Sequence, residues 1–482
     1  MAERLHTPWT HKLIVSPLGM LLDTRLFEWI KDRSLPREFR MARTGAAAAA
    51  TVGEDDGAFL DALGVAPDAL DAAVRDRLPE ARADFAADWQ ARAEALDAWE
   101  AAFWGDVDLG PDERVAREEA RREASERCIT PSGTLGFLAR EEAVPPVRCD
   151  VPAPEATFET WGDALANPAT CYAAPETLPP VERSHAVPGP AGPEYLVRFD
   201  SPSPRMDDTV YARVFEPEGA ADAALPTFIY GSGLGMAYDQ IRYWPEEDYM
   251  GRPLAAEGYR VVLIESPWHG RRVVPGRFSG EPYLATAPVG LFTLYAAQAQ
   301  ETARLIGWAR EQGAPVVGVG GVSLGGIVAQ HVAGWSANWP TALRPDVVFL
   351  GASSTHIDEV VLQSTITQAL GVDAAVEAAG WTPERLRRLR PLLDPPATLG
   401  LPAEHGVAVL GRRDQYVPYR WAREMLDGWD VPEGNIRTWD MDHFGVLVRL
   451  YREPDAQELI MRALDRVLKA RGAIRESSRP ST

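Results

Sequence analysis

A chain of 482 residues, 46% hydrophobic and 25% charged, can bury a large core, which excludes disordered and fibrous architectures. A net charge of −21 repels nucleic-acid phosphates and anionic membrane surfaces, so no nucleic acid is expected as a partner. Cys128, Cys149 and Cys171 lack metal-type spacing, so no metal or cofactor is expected, and no apolar run reaches the roughly 20 residues that cross a bilayer, so the protein reads as cytoplasmic.

Residues 1 to about 45 mix apolar and basic residues in the manner of an amphipathic helix packed on the body. Contact with a membrane surface through this segment is the less favoured reading, because its cationic content is modest. The apolar stretch Leu13–Leu22 is interrupted by Pro17 and Gly19 and followed by Asp23, which argues against a cleaved leader. From Ala46 to about Arg127 the sequence is rich in Ala, Glu, Asp and Arg and predicts helical hairpins. Prolines and glycines then punctuate the chain up to Pro193, which predicts a loop-rich connector. We therefore divide the chain into a helical N-terminal region with its connector, 1–190, and a main domain, 191–475.

After Glu194 the pattern changes. Tyr195–Phe199 and Val210–Phe215 flank the turn-rich Ser201-Pro202-Ser203-Pro204 and predict an antiparallel hairpin. Apolar runs follow at helical intervals: Thr227–Tyr230, Arg260–Ile264, Val316–Val319, Val347–Leu350, Val407–Leu410 and Ile436–Trp439. Strands alternating with helices need crossover connections, and crossovers produce a mostly parallel sheet with helices on both faces.

The strongest chemical signal is Gly321-Val322-Ser323-Leu324-Gly325, with a predicted strand before it and a predicted helix after it. A nucleophile on a strand-to-helix turn holds a strained backbone, so the residues two before and two after it must lack bulk. The Leu324 amide, at the head of the helix, is a candidate donor to a developing oxyanion. A serine hydroxyl needs a base, and His443 follows the last predicted strand on a loop at the carboxyl edge of the sheet. Asp414 follows the preceding strand and is the carboxylate expected to orient that histidine; Asp442 is its rival, but adjacent side chains on a loop rarely face each other. Three glycines in Gly231-Ser232-Gly233-Leu234-Gly235 allow close backbone approach, with Leu234 the expected second oxyanion donor and Ser232 and Gly233 beside the substrate. His269 and His356 stand on loops near the same edge and are candidate substrate contacts, whereas His331 is expected to pack and His405 to be structural.

The order Ser, Asp, His along the chain is that of the α/β-hydrolase fold. Residues 226 to 468 resemble that superfamily and look like the family of α/β-hydrolase domain-containing protein 18. The resemblance rests on Glu265-Ser266-Pro267-Trp268-His269-Gly270-Arg271-Arg272, on Gly321-Val322-Ser323-Leu324-Gly325-Gly326 and on Asp414-Gln415-Tyr416-Val417-Pro418. It implies hydrolysis of esters. Where that family has an Asp-His pair in its glycine loop, Ser232-Gly233-Leu234-Gly235 stands here.

Residues 353–400 exceed a simple connection and predict a small helical lid. Its Val360, Val361, Leu362, Ile366, Leu370 and Trp381 favour an apolar acyl group, so a small-molecule or lipid ester is the expected substrate. An acyltransferase using the same residues, or a binding protein without turnover, are the rival readings.

Overall fold

The computed structural model describes residues 24–106, 109–220 and 224–472, so Leu13–Leu22 lies outside the described residues. The first described helix, α1 (Arg25–Ala50), starts at Thr24, whose hydroxyl accepts the Phe27 amide at 3.3 Å. Apart from Arg43, the buried residues of its second half are small (Thr44, Gly45, Ala47 and Ala48), and a Cβ added to Gly45 would fall 2.9 Å from the Cys128 carbonyl oxygen. Helices α2 (Leu78–Trp104) and α3 (Pro111–Ile129) pack along each other, as the Ala, Glu and Arg content predicts.

Buried charge joins α3 to the rest of the molecule. Glu118 lies 3.0 Å from Arg121 and 2.9 Å from Arg122 and also contacts Arg213; Arg122 in turn reaches Glu247 at 2.6 Å. Asp239 receives Arg213 at 2.6 Å and Arg271 at 2.7 Å. Buried ions are costly unless every partner is in place, so this network specifies where α3 sits.

The rest of the chain builds a ten-stranded sheet. Its strands are β1 (Glu182–Arg183), β2 (Val187–Pro188), β3 (Pro193–Asp200), β4 (Thr209–Phe215), β5 (Thr227–Gly231), β6 (Arg260–Ile264), β7 (Val317–Val322), β8 (Val347–Gly351), β9 (Gly406–Gly411) and β10 (Ile436–Trp439). They lie in the order β1-β3-β4-β6-β5-β7-β8-β9-β10, with β2 beside β3. β3 and β4 form the expected antiparallel hairpin and β4 is antiparallel to β6; from β6 to β10 every neighbour is parallel.

The central strands are buried along their whole length because both faces are covered. Side chains alternate between two cores, as a two-residue period requires. Ile229, Val262, Val319 and Leu350 face helices α4 (Val289–Glu311) and α5 (Leu324–Trp335). Phe228, Val261, Leu263 and Phe349 face the opposite core. After β8 come α6 (Ile357–Gln363), α7 (Thr365–Leu370) and α8 (Val372–Ala378), then α9 (Tyr419–Gly428), α10 (His443–Arg452) and α11 (Asp455–Ala470). Leu459, Ile460 and Leu464 of α11 close that second core.

The chain leaves β5 for β6 on one side and later returns to β7 on the other. This reversal opens a crevice at the carboxyl ends of β5 and β7, where open α/β sheets bind ligands. α1 and α7 pack against each other. Among the described residues no helix is long and apolar enough to cross a membrane.

Candidate active site

Ser323 sits between β7 and α5 with φ 55° and ψ −118°. A side-chain-bearing residue is rarely held at positive φ, and the surroundings must over-determine it. Here the Ser323 amide donates to the Gly351 carbonyl at 2.8 Å, and the Gly325 amide donates to the Ser232 carbonyl at 3.0 Å. Glycine is obligatory at the crossing point: a Cβ on Gly325 would lie 2.1 Å from the Gly231 carbonyl oxygen, and one on Gly321 would lie 2.4 Å from the Gly325 carbonyl carbon.

His443 opens α10 and Asp414 follows β9, so adjacent parallel strands deliver both side chains to the same edge. The Ser323 hydroxyl lies 3.0 Å from His443 Nε2, and His443 Nδ1 lies 2.7 Å from Asp414 Oδ2. A carboxylate only accepts, so Nδ1 carries the proton and Nε2 is left to accept from the serine. Asp414 Oδ1 is taken up by the Tyr416 and Val417 amides, each at 2.9 Å, which locks the carboxylate. Burial alone lowers the His443 pKa, but the charge and hydrogen bond of Asp414, with the charge of Asp442, outweigh it and leave it raised. Asp442 is occupied elsewhere: its Oδ1 caps α10 by accepting the Gly445 amide at 2.7 Å. Tyr416 stacks on the imidazole, with ring centroids 5.2 Å apart and planes 15° apart.

The residues expected around the substrate divide into two groups. Leu324, Gly233 and Leu234 line the cavity that holds Ser323, and a Cβ on Gly233 would be 3.6 Å from Ser323 Cβ. Ser232 does not line it: its side chain is buried and its carbonyl is committed to the elbow. His269 is also not a substrate contact. It is fully buried, Nδ1 donates to the Pro267 carbonyl at 2.8 Å, and Nε2 accepts the Gly235 amide at 3.2 Å, so it braces the glycine loop from behind. Burial lowers its pKa to about 4, which keeps it neutral in that role. His356 lines a different cleft from the one that holds Ser323, stacked on Trp421 at 5.4 Å and 3.4 Å from Glu424. His331 is buried between Tyr172 and Tyr295.

The cavity at Ser323 has a volume of about 520 Å³. Val360, Val361 and Ile366 wall it from the segment after β8, whereas Leu362, Leu370 and Trp381 do not line it. The other wall is α1, through Phe27, Lys31, Leu35, Glu38, Phe39 and Ala42. These recur every three or four residues, the spacing of a single helix face, and that was the available signal in the sequence. α1 is also bonded to the loops carrying His443 and Asp414. Tyr416 Oη donates to Asp32 at 2.6 Å, the Asp442 amide donates to Glu28 at 3.2 Å, and Glu28 pairs with Arg413.

The sheet order, the serine on its tight turn and the histidine and aspartate on the following loops define an α/β-hydrolase fold. Within it, residues 227–373 match the family model described as alpha/beta hydrolase domain containing 18, and the chain resembles that family over this stretch. No curated protein sequence matches the chain. Among solved structures, it is similar to an acetyl xylan esterase from Paenibacillus sp. R4, with 16% identity, a TM-score of 0.46 and coverage of 66% of this chain and 97% of that one. Acetyl xylan esterase 1 from Thermoanaerobacterium sp. JW/SL YS485 is 15% identical, with a TM-score of 0.45 and coverage of 67% and 96%. An S-formylglutathione hydrolase from Agrobacterium tumefaciens is 16% identical, with a TM-score of 0.39 and coverage of 59% and 98%.

Proposed function

We propose that this chain is a serine hydrolase that cleaves carboxylic esters with an apolar acyl group, using Ser323, His443 and Asp414. The observation that carries the reading is the continuous hydrogen-bonded series from the Ser323 hydroxyl through His443 to Asp414, at 3.0 and 2.7 Å, in a cavity of substrate size. His443 Nε2 takes the hydroxyl proton as Ser323 Oγ attacks the ester carbonyl carbon. The negative charge that develops on the carbonyl oxygen is met by the Leu324 amide and by the glycine loop at Gly233 and Leu234. The imidazolium, stabilised by Asp414, returns its proton to the departing alkoxide, leaving an acyl group on Ser323. Water then gives a proton to His443 as its oxygen attacks the acyl carbon, and His443 passes that proton to Ser323 Oγ as the acyl–Oγ bond breaks, releasing the acid and restoring the serine. The walls contributed by α1 and by residues 353–400 form the lid, and their aliphatic and aromatic side chains supply the apolar acyl site.

The test is labelling with a fluorophosphonate probe, followed by turnover of p-nitrophenyl esters of increasing acyl length. The wild type should label and Ser323→Ala should not, with turnover rising from acetate to medium chains. Labelling that persists in Ser323→Ala removes the proposed nucleophile.

A further inference from the structure

The mechanism above leaves one buried carboxyl of the cavity unused. Glu246 is 2% exposed and lines the same cavity as Ser323 and His443. Several other buried carboxylates of this fold lean on an arginine, as Glu247 does on Arg122, Glu301 on Arg272 and Glu265 on Arg271. Among the described residues no cation pairs with Glu246, and its Oε2 is buried without a hydrogen-bond partner. The Ser232 hydroxyl and the Trp244 indole N–H, also buried, lie close enough to pull its pKa down, but neither reaches full hydrogen-bond geometry to Oε2. Of the phenols nearby, Tyr230 and Tyr249 share a hydrogen bond at 2.7 Å and Tyr249 packs on Tyr451 with ring centroids 4.9 Å apart, and none of the three donates to Oε2. Burial pushes the Glu246 carboxyl up to about 7, against the opposing pull of its own amide, Ser232 and Trp244.

A buried acceptor left open in the free protein is costly unless something else completes it. Glu246 opens onto the cavity, so the missing donor can arrive with a ligand. The walls around it are mainly hydrocarbon and aromatic, so a polar substrate group finds few alternative places there. Its neighbour Ser232 holds the Gly325 amide through its carbonyl, which puts the carboxyl on the glycine-loop side of Ser323.

We infer that Glu246 is a specificity residue, accepting a hydrogen bond from a hydroxyl or amino group on an otherwise apolar ester substrate. The inference rests on the esterase reading above. The donor group and the scissile carbonyl are then fixed together, one at Glu246 and the other at Ser323, which orients the ester. A matched ester lacking the donor leaves the carboxyl open and is disfavoured.

The experiment compares matched esters ending in a methyl, a hydroxyl or an amino group, substituted on the acyl side in one series and on the alcohol side in another. Each is measured with the wild type, Glu246→Gln and Glu246→Leu, and Ser323 is labelled with the fluorophosphonate in all three. In one series, the wild type should favour the hydroxyl or amino ester over the methyl ester by about tenfold or more in kcat/KM. Glu246→Leu should abolish or invert that preference while still labelling. Glu246→Gln should keep the preference if the donor is a hydroxyl and lose it if the donor is an ammonium. A wild type that prefers the methyl ester in both series overturns the inference. So does a Glu246→Leu variant that slows all three esters by the same factor, or a Glu246→Gln variant with wild-type ratios throughout when the preferred ester is the amine. If Glu246→Leu does not fold, the Gln variant and the wild-type ratios decide. A wild type that fails to label overturns the esterase reading, whereas normal labelling with unchanged discrimination overturns only the role of Glu246.

Discussion

Glu28, near the start of the first described helix, is ion-paired with Arg413, which lies 385 residues later and immediately precedes Asp414. Together with the bond from Tyr416 Oη to Asp32, it fastens the roof of the cavity to the loop that orients the histidine. Both partners are largely covered, so the contact is screened less than an exposed ion pair. Glu28→Ala combined with Asp32→Ala should lower kcat/KM for medium-chain esters roughly fivefold to tenfold, equivalent to about 1 kcal/mol. It should leave the melting temperature nearly unchanged. Steady-state kinetics beside a thermal melt checks this, and unaltered kinetics would detach α1 from the site.

Asp414 is the only charged group hydrogen-bonded to His443 among the described residues. With the acid removed, burial is the dominant influence left on the imidazole, and the proton-bearing nitrogen is no longer fixed. Asp414→Asn should therefore lower kcat by about 10⁴-fold while substrate binding is retained. Single-turnover measurements will separate the two effects.

On the proposed mechanism the raised His443 pKa should set the acid limb of activity. The base must be neutral to accept the serine proton, so kcat/KM should fall as pH drops through a midpoint above the ordinary 6.5. In Asp414→Asn the residual activity should have its midpoint shifted downwards, because the raising influence of the acid is gone. A pH profile of kcat/KM in both proteins reads this directly, and a midpoint below 6.5 in the wild type contradicts the assignment of the base.

Glu118 predicts a pH-dependent stability. Burial raises its pKa, but Arg121, Arg213 and Arg122 more than reverse this and hold it well below 4.5. Its contribution is therefore present above the unfolded-state value and is lost as pH falls towards the folded-state value. Glu118→Gln leaves buried guanidinium groups short of their counter-charge and should cost roughly 3–5 kcal/mol. Urea unfolding at neutral pH and at pH below about 4 should show the difference between variant and wild type shrinking in acid.

Ile366 lines the cavity from α7, which packs on α1. Ile366→Trp should fill part of the 520 Å³ and shift the acyl-chain optimum to shorter esters. It should leave fluorophosphonate labelling of Ser323 intact. A p-nitrophenyl ester series checks the shift.

Much of this architecture follows from local pattern. Strand and helix periods, and the glycines flanking Ser323, are properties of short segments, so the parallel sheet, the tight turn and the order of Ser323, Asp414 and His443 were legible before any coordinates. The histidines mark where that ends. His269 and His356 both stand on loops at the carboxyl edge of the sheet, yet one braces the glycine loop and the other lines a different cleft. A loop's sequence does not encode which way its side chain turns. The same holds for α1, whose four-residue spacing reveals a covered face but not that it covers Ser323, and for Glu246, which resembles its neighbour Glu247 until folding brings Arg122 to only one of them. Periodicity is written into consecutive residues, whereas the partner of a side chain is chosen by packing between segments hundreds of residues apart, and only the closed fold makes that choice.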